Sequence, residues 1–270
     1  MRLKDLYLKL KGLRLKHFLI GDGGSQKRKQ KILMPPWIAL LHGYHVVEDQ
    51  SFISGSDEPE PDSVVVERQK IEELELCFYG VFDAQVGDGV AKYVRSHLFD
   101  RNPKESQIRR KSEETMRKAY LGARAKIRET QKADETWRAG SVAVLVINTG
   151  ELVMASMGNY RAVVCRAAAA HEIGSRDQRQ SAKRYWSRKL ISGNKQSKGS
   201  ELVVGAERID SPTEFVILAS TGIWEVMNDL EAVRLVRNID DPRKAAEYLA
   251  YEALNRRSKS RISCLIIRFR

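Results

Sequence analysis

Residues 141–165 read Ser141-Val142-Ala143-Val144-Leu145-Val146-Ile147-Asn148-Thr149-Gly150-Glu151-Leu152-Val153-Met154-Ala155-Ser156-Met157-Gly158-Asn159-Tyr160-Arg161-Ala162-Val163-Val164-Cys165. Three apolar, β-branched runs follow one another here, at 141–148, 152–157 and 162–165. Each has the length of a strand and is too short for an ordinary helix. Asn148-Thr149-Gly150 is a turn signal between the first two, since asparagine and glycine tolerate the backbone of a tight turn. Across so short a turn the first two can pair only antiparallel, because a parallel neighbour needs a crossover of about a dozen residues. The segment therefore predicts a cluster of strands, the first two antiparallel.

Working outward, residues 74–82 form an apolar run that ends at Asp83, a strand leading into a loop. Residues 215–219 and 262–269 carry the same buried-strand pattern. Val90, Val94 and Leu98 give residues 87–99 a helical period, and 104–132 is a long, charged helical stretch with few breakers. Asn228 can cap a helix, with Glu231 at capping-box spacing, and Asp241-Pro242 opens another with a cap and an N1 proline. Residues 167–213 are polar, basic and poorly periodic. Strands come in clusters, with helices between the clusters. That is the order of an α+β sandwich with antiparallel sheets, not of a regular parallel βαβ fold.

The chain has 270 residues, 42% of them apolar, which suffices for one large domain with a proper core. No run of about 20 apolar residues is present to span a bilayer. Cys77, Cys165 and Cys264 each lie inside an apolar run and form no C-x-x-C pair. Buried free thiols and a reducing compartment, cytoplasmic or nuclear, are the expectation. Of the formal net charge of +12, residues 1–31 supply +8 and residues 167–200 supply +6, leaving the rest of the chain at −2. The basicity thus lies in two appendages that can attract acidic surfaces. Tyr185-Trp186 stands in the second, but no nucleic-acid motif accompanies it, and no specific nucleic-acid partner is predicted.

Leu3, Leu6, Leu10 and Leu13 recur at helical steps, although Leu8, Leu15 and Gly12 break the face. A helix docked on the domain, a targeting segment and a helix in peripheral contact with a membrane all fit. The predicted organisation is a basic, leucine-rich extension and linker over 1–35 and one domain over 36–270. His42 and His45 lack the further ligands that a zinc site needs.

Five segments together resemble the metal-dependent protein phosphatase 2C family, most closely its plant branch. Phe78-Tyr79-Gly80-Val81-Phe82-Asp83 is similar to its strand ending in a metal-bridging aspartate. Gly140-Ser141-Val142-Ala143-Val144 resembles its Gly-Ser-Thr-Ala strand. Residues 155–163 resemble its Gly-Asp-Ser-Arg-Ala-Val hairpin, and 215–226 its Leu-Ala-Ser-Asp-Gly-Leu-Trp-Asp-Val segment. Residues 258–269 resemble its closing Ser-x-Asp-Asn strand. Each motif is short, but five in the family's order are specific. The resemblance implies two antiparallel sheets packed face to face with helices outside, and hydrolysis of phosphoserine and phosphothreonine by two magnesium or manganese ions.

The same resemblance implies that much of that chemistry is lost. The family's Arg-x-x-Met-Glu-Asp is matched to 44–49, so Glu48 and Asp49 survive while Tyr44 stands for the phosphate-binding arginine. In Asp83-Ala84-Gln85-Val86-Gly87 the aspartate survives and Ala84 can still offer a carbonyl, but Gln85 replaces the histidine that would protonate the leaving group. Asn159, Thr221 and Ser260 replace aspartates, and Arg261 replaces an asparagine. Glu48, Asp83 and the Ala84 carbonyl are the remnant of one metal site, with Asp49 behind them. One weakly bound magnesium or manganese, or no metal, both follow from that set. The segment 167–213 holds neither the family's Asp-His-Lys-Pro stretch nor its flap. The expectation is a pseudophosphatase that binds other proteins, such as kinases or phosphoproteins; the alternative is a genuine serine/threonine phosphatase of low activity.

Overall fold

The computed structural model describes residues 40–47, 62–71, 74–84, 86–99, 107–130, 140–172 and 202–269. These belong to one compact unit, Leu33–Arg270. The strands are β1 (Leu41–Val46), β2 (Ser63–Ile71), β3 (Leu74–Phe82), β4 (Ser141–Ile147), β5 (Glu151–Met157), β6 (Arg161–Arg166), β7 (Ala169–Glu172), β8 (Val203–Arg208), β9 (Thr213–Ala219) and β10 (Ser263–Arg268). They form two five-stranded sheets, ordered β1-β10-β9-β6-β7 and β2-β3-β4-β5-β8. Neighbouring strands pair antiparallel throughout. The α+β class read from the strand clusters is thus the observed one.

Three apolar layers account for the architecture. Cys77, Tyr79 and Val81 of β3 and Val142, Val144 and Val146 of β4 face Val216, Leu218, Leu265 and Ile267 across the gap between the sheets. The alternate residues of β3 and β4 turn outward. Leu76, Phe78, Leu145 and Ile147 pack with Met116 and Tyr120 of a long helix, α2 (Ile108–Thr130), and with Val90 and Val94 of α1 (Gly89–Val94). On the other side, Ile217, Cys264 and Ile266 meet α4 (Asp229–Val236) and α5 (Pro242–Asn255), while α3 (Thr221–Trp224) follows β9 directly. Strands buried on both faces read as continuous apolar runs rather than alternations, which is why β4 and β5 stand out so clearly in the sequence.

Helix ends follow their capping chemistry. The Asn228 side chain accepts from the Glu231 N–H at 2.9 Å, and Asp241 accepts from the N–H groups of Arg243 and Lys244 ahead of Pro242. The 87–99 stretch divides into α1 and a wider π-helical turn, Arg95–Phe99. The described parts of the poorly periodic stretch 167–213 include β7 and β8, both edge strands. Cys77, Cys165 and Cys264 are free and buried. Burial pushes the Cys77 and Cys165 thiols up to about 11 and Cys264 to about 12, so all three remain protonated near neutrality. Among the described residues no helix is long and apolar enough to cross a membrane.

Candidate functional site

One end of the sandwich gathers the polar residues. β2 starts there and β3 stops there. The β2–β3 register pairs Ser63 with Phe82, so the flanking Asp62 and Asp83 come side by side. The same end holds the β5–β6 turn with Asn159 and Tyr160, the β9–α3 junction with Ser220 and Thr221, and the approach to β10 with Ser258, Ser260 and Arg261. Asp83 is fixed through its backbone. Its N–H donates to the Gly140 carbonyl at 3.0 Å, and its own carbonyl accepts from Val86 and Gly87 at 2.9 and 3.0 Å. Gly140 is needed beside it, because a Cβ there would stand 2.0 Å from the ring of Tyr160.

Asp62 is the centre of this cluster, although its carboxylate is only 1% exposed. Tyr160 Oη donates to it at 2.9 Å, and Ser263 Oγ donates from the start of β10. One carboxylate therefore ties the two sheets together. Burial holds the Asp62 carboxyl above its ordinary range, against the hydrogen bonds from Ser263 and Tyr160, and the neighbouring Asp83 adds to the rise. Burial and the two carboxylates also push the Tyr160 phenol far up, so it stays a donor. Arg261 faces both acids: its Nη1 lies 3.8 Å from Asp62 Oδ1 and 3.9 Å from Asp83 Oδ2. These separations exceed hydrogen-bond length and make the contact a Coulombic one.

The strand ends around Arg261 are laced together. Ser220 Oγ and the Gly222 N–H both donate to the Arg261 carbonyl, at 2.6 and 2.9 Å, and the Ser263 N–H donates back to Ser220 Oγ at 2.9 Å. Thr221 is thereby held beside the backbone of Arg261. Ser260 turns to Glu225, donating from Oγ at 2.7 Å and from its N–H at 2.9 Å, while Ser258 Oγ and the Lys259 N–H donate to the same carboxylate. Desolvation works to raise the Glu225 carboxyl, but these donors together hold it below the ordinary glutamate range. The sign follows: stabilisation by Glu225 is present above the unfolded-state pKa and fades as pH falls through the lowered folded value. Glu225→Gln should therefore cost about 1 kcal/mol at pH 7, and the difference from wild type should vanish in acid, as read by denaturant titration at several pH values. A difference that grows in acid would refute this.

The remaining candidates divide clearly. Asn159 lies exposed in the β5–β6 turn. Tyr44 is 51% exposed on β1, paired with Leu265 and so on the same face as Ser263, two residues along the register. Ala84 is described, next to Asp83. Glu48, Asp49 and Gln85 lie outside the described residues. Asp62, Tyr160, Ser263 and Glu225 are additions that the sequence reading did not single out. Its available signal was an acid, Asp62, two residues ahead of the β-branched run Val64-Val65-Val66.

A pair of divalent ions would need several anionic oxygens with free lone pairs. Among the described residues no group of three or more His, Cys, Asp or Glu side chains could hold a metal. Asp62 already accepts from two hydroxyls, Thr221 and Ser260 are neutral, and a guanidinium faces both acids. The described side chains at this end of the sandwich do not fit a two-metal centre.

A model of the family described as protein phosphatase 2C matches residues 60–188 and 202–262. Protein phosphatase 2C-like protein 44 of Arabidopsis thaliana is 42% identical over 98% of both chains. Probable protein phosphatase 2C 62 of Oryza sativa subsp. japonica is 31% identical, again over 98% of both. Among solved structures, the serine/threonine phosphatase Stp1 from Staphylococcus aureus shares the fold with a TM-score of 0.56 at 15% identity, covering 86% of this chain and 95% of its own.

Proposed function

Because this chain belongs to the protein phosphatase 2C family, we propose that it is a pseudophosphatase, a folded phosphatase 2C domain that works by binding other proteins. The observation that carries this is the pair of hydroxyls, Thr221 and Ser260, at the end of the sandwich that presents Asp83. The family places metal-binding carboxylates at both positions. A hydroxyl brings no negative charge to a hard cation. Without paired metals a water has nothing to lower its pKa, and developing charge on the phosphoryl oxygens goes unmet.

The first acidic motif supports the same reading in either of two registers. Matched to 44–49, it keeps Glu48-Asp49 and has Tyr44 in place of the phosphate arginine. Matched to 57–62, it ends on Asp62, has Pro61 for the glutamate and Asp57 for the arginine. We favour the second, since the family match begins at residue 60 and Asp62 is the acid beside Asp83. Neither register supplies a phosphate-binding arginine. Gln85, in place of the histidine, has no proton to give near neutral pH.

Binding partners in this reading are kinases, phosphoproteins or other proteins with acidic surfaces, met by the basic tracts at 1–31 and 167–200. The three buried thiols support a reducing compartment, cytoplasm or nucleus. Turnover of a phosphothreonine peptide in excess manganese tests the proposal. The expected rate is at least about a hundredfold below that of an active relative, the scale set by loss of a general acid alone. A rate within that hundredfold, abolished by Asp83→Asn, would establish a slow but genuine phosphatase instead.

A further inference from the structure

We infer that Arg261 is a tethered cation standing in for metal between Asp62 and Asp83, so that this centre is complete without a divalent ion and draws in no phosphate. The inference rests on the pseudophosphatase reading and extends it to what the centre can recognise.

Two carboxylates at adjacent strand ends repel one another unless a cation faces both. The Arg261 guanidinium does so, with Nη1 at 3.8 and 3.9 Å from the two acids. Its position is built rather than incidental. On one side the Arg261 carbonyl is held by Ser220 and Gly222. Just upstream, Glu225 grips the N–H groups of Lys259 and Ser260. Just downstream, the Ile262 carbonyl accepts from the Val47 N–H at 3.0 Å and ties the segment to β1. A backbone anchored at 259, 260, 261 and 262 fixes the point from which the Arg261 side chain reaches the two acids.

The acids are correspondingly closed to an outside ion. Asp62 is 1% exposed and Asp83 16% exposed, and the Asp62 oxygens take hydroxyl donors from Tyr160 and Ser263. A divalent ion entering here would have to shed its water against a fixed positive charge. Phosphate fares no better. Among the described residues, one guanidinium is set against two carboxylates and leaves no surplus positive charge, and a free arginine fork is what phosphate recognition needs. A partner is then recognised elsewhere on the domain, whether or not it is phosphorylated.

Manganese titration calorimetry on the full chain, without substrate, tests this. Wild type should show no saturable site, and its melting temperature should be the same in manganese and in EDTA. Arg261→Ala should gain a saturable site at least about tenfold tighter than any wild-type binding, because the fixed positive charge that faces both carboxylates is then removed. Arg261→Gln, which keeps the side chain's bulk and polarity without the charge, should gain it too and covers the case in which Arg261→Ala does not fold. Phosphorylated and unphosphorylated forms of one threonine peptide should bind wild type equally. Saturable manganese binding by wild type, no gain in a folded charge-removed variant, or a clear preference for the phosphopeptide would each overturn the inference. Absence of turnover would still stand in every one of those cases, so the two readings fail separately.

Discussion

Asp62→Ala should lower the stability of the domain by about 2–4 kcal/mol, measured as the shift of a denaturant midpoint at constant slope. The substitution takes the acceptor from two buried hydroxyls, Tyr160 Oη in the β5–β6 turn and Ser263 Oγ on β10, and so cuts the link from the start of β2 to the other sheet. Leaving a buried donor unsatisfied costs about 1–3 kcal/mol, and the site is too enclosed for free solvation. Part of this is offset, because the desolvated carboxylate itself is relieved. Asp62→Asn separates the two contributions. It keeps a carbonyl acceptor between the hydroxyls and removes the charge. Since the folded carboxyl titrates above its unfolded value, its contribution is fully present below the unfolded pKa and is lost as pH rises through the folded value. Asp62→Asn should therefore gain on wild type as pH rises from acid towards neutrality. A midpoint shift below about 1 kcal/mol for Asp62→Ala would show that the carboxylate does not tie the sheets.

Strands β4, β5 and β9 are legible in the sequence because they are buried on both faces, and their apolar runs leave no competing period. The caps at Asn228 and Asp241 are legible because they act within three residues. β2 runs from Ser63 through three valines to Glu67, Arg68 and Lys70, with Arg68 and Lys70 exposed as suits an edge strand, and it carries no clean period. β7 and β8 are short edges in a polar stretch and give equally little signal.

The candidate site divides in the same way. Asp83, Thr221, Ser260 and Arg261 lie beside strands whose flanking residues carry the family's motifs, so motif matching finds them. Asp62 is recognised by what it touches, and its partners Tyr160 and Ser263 are 98 and 201 residues away. A Glu-Asp pair such as Glu48-Asp49 is a two-letter signal and says nothing of distance. Antiparallel pairing is the physical fact that sets an acid beside Asp83: once Ser63 is opposite Phe82, the next residue outward on each strand must meet.

Close approach of two backbones also governs the β9–α3 junction, across the site from Asp62. Gly222→Ala should destabilise the domain by about 3 kcal/mol, within the range of overpacking against atoms that cannot rotate away. A Cβ at residue 222 would stand 2.4 Å from the Arg261 carbonyl oxygen and 2.6 Å from that of Ser260. Both are backbone atoms. Room can be made only by lifting the 260–261 segment, which lengthens the bond from the Gly222 N–H to the Arg261 carbonyl and strains the one from Ser220 Oγ. The effect is steric and not a matter of backbone angle, since Gly222 is not among the glycines with positive φ. Gly122 supplies the control. It lies exposed in α2, and a Cβ there meets nothing within 4 Å. Gly122→Ala should raise stability by about 0.5–1 kcal/mol through helix propensity and reduced unfolded-state entropy. Opposite signs for one chemical change at two glycines, read on the same thermal melts, is the expected result. A Gly222→Ala variant as stable as wild type would mean that the β9–α3 junction and the Arg261 segment are not in contact, and the positioning of Arg261 would lose its main support.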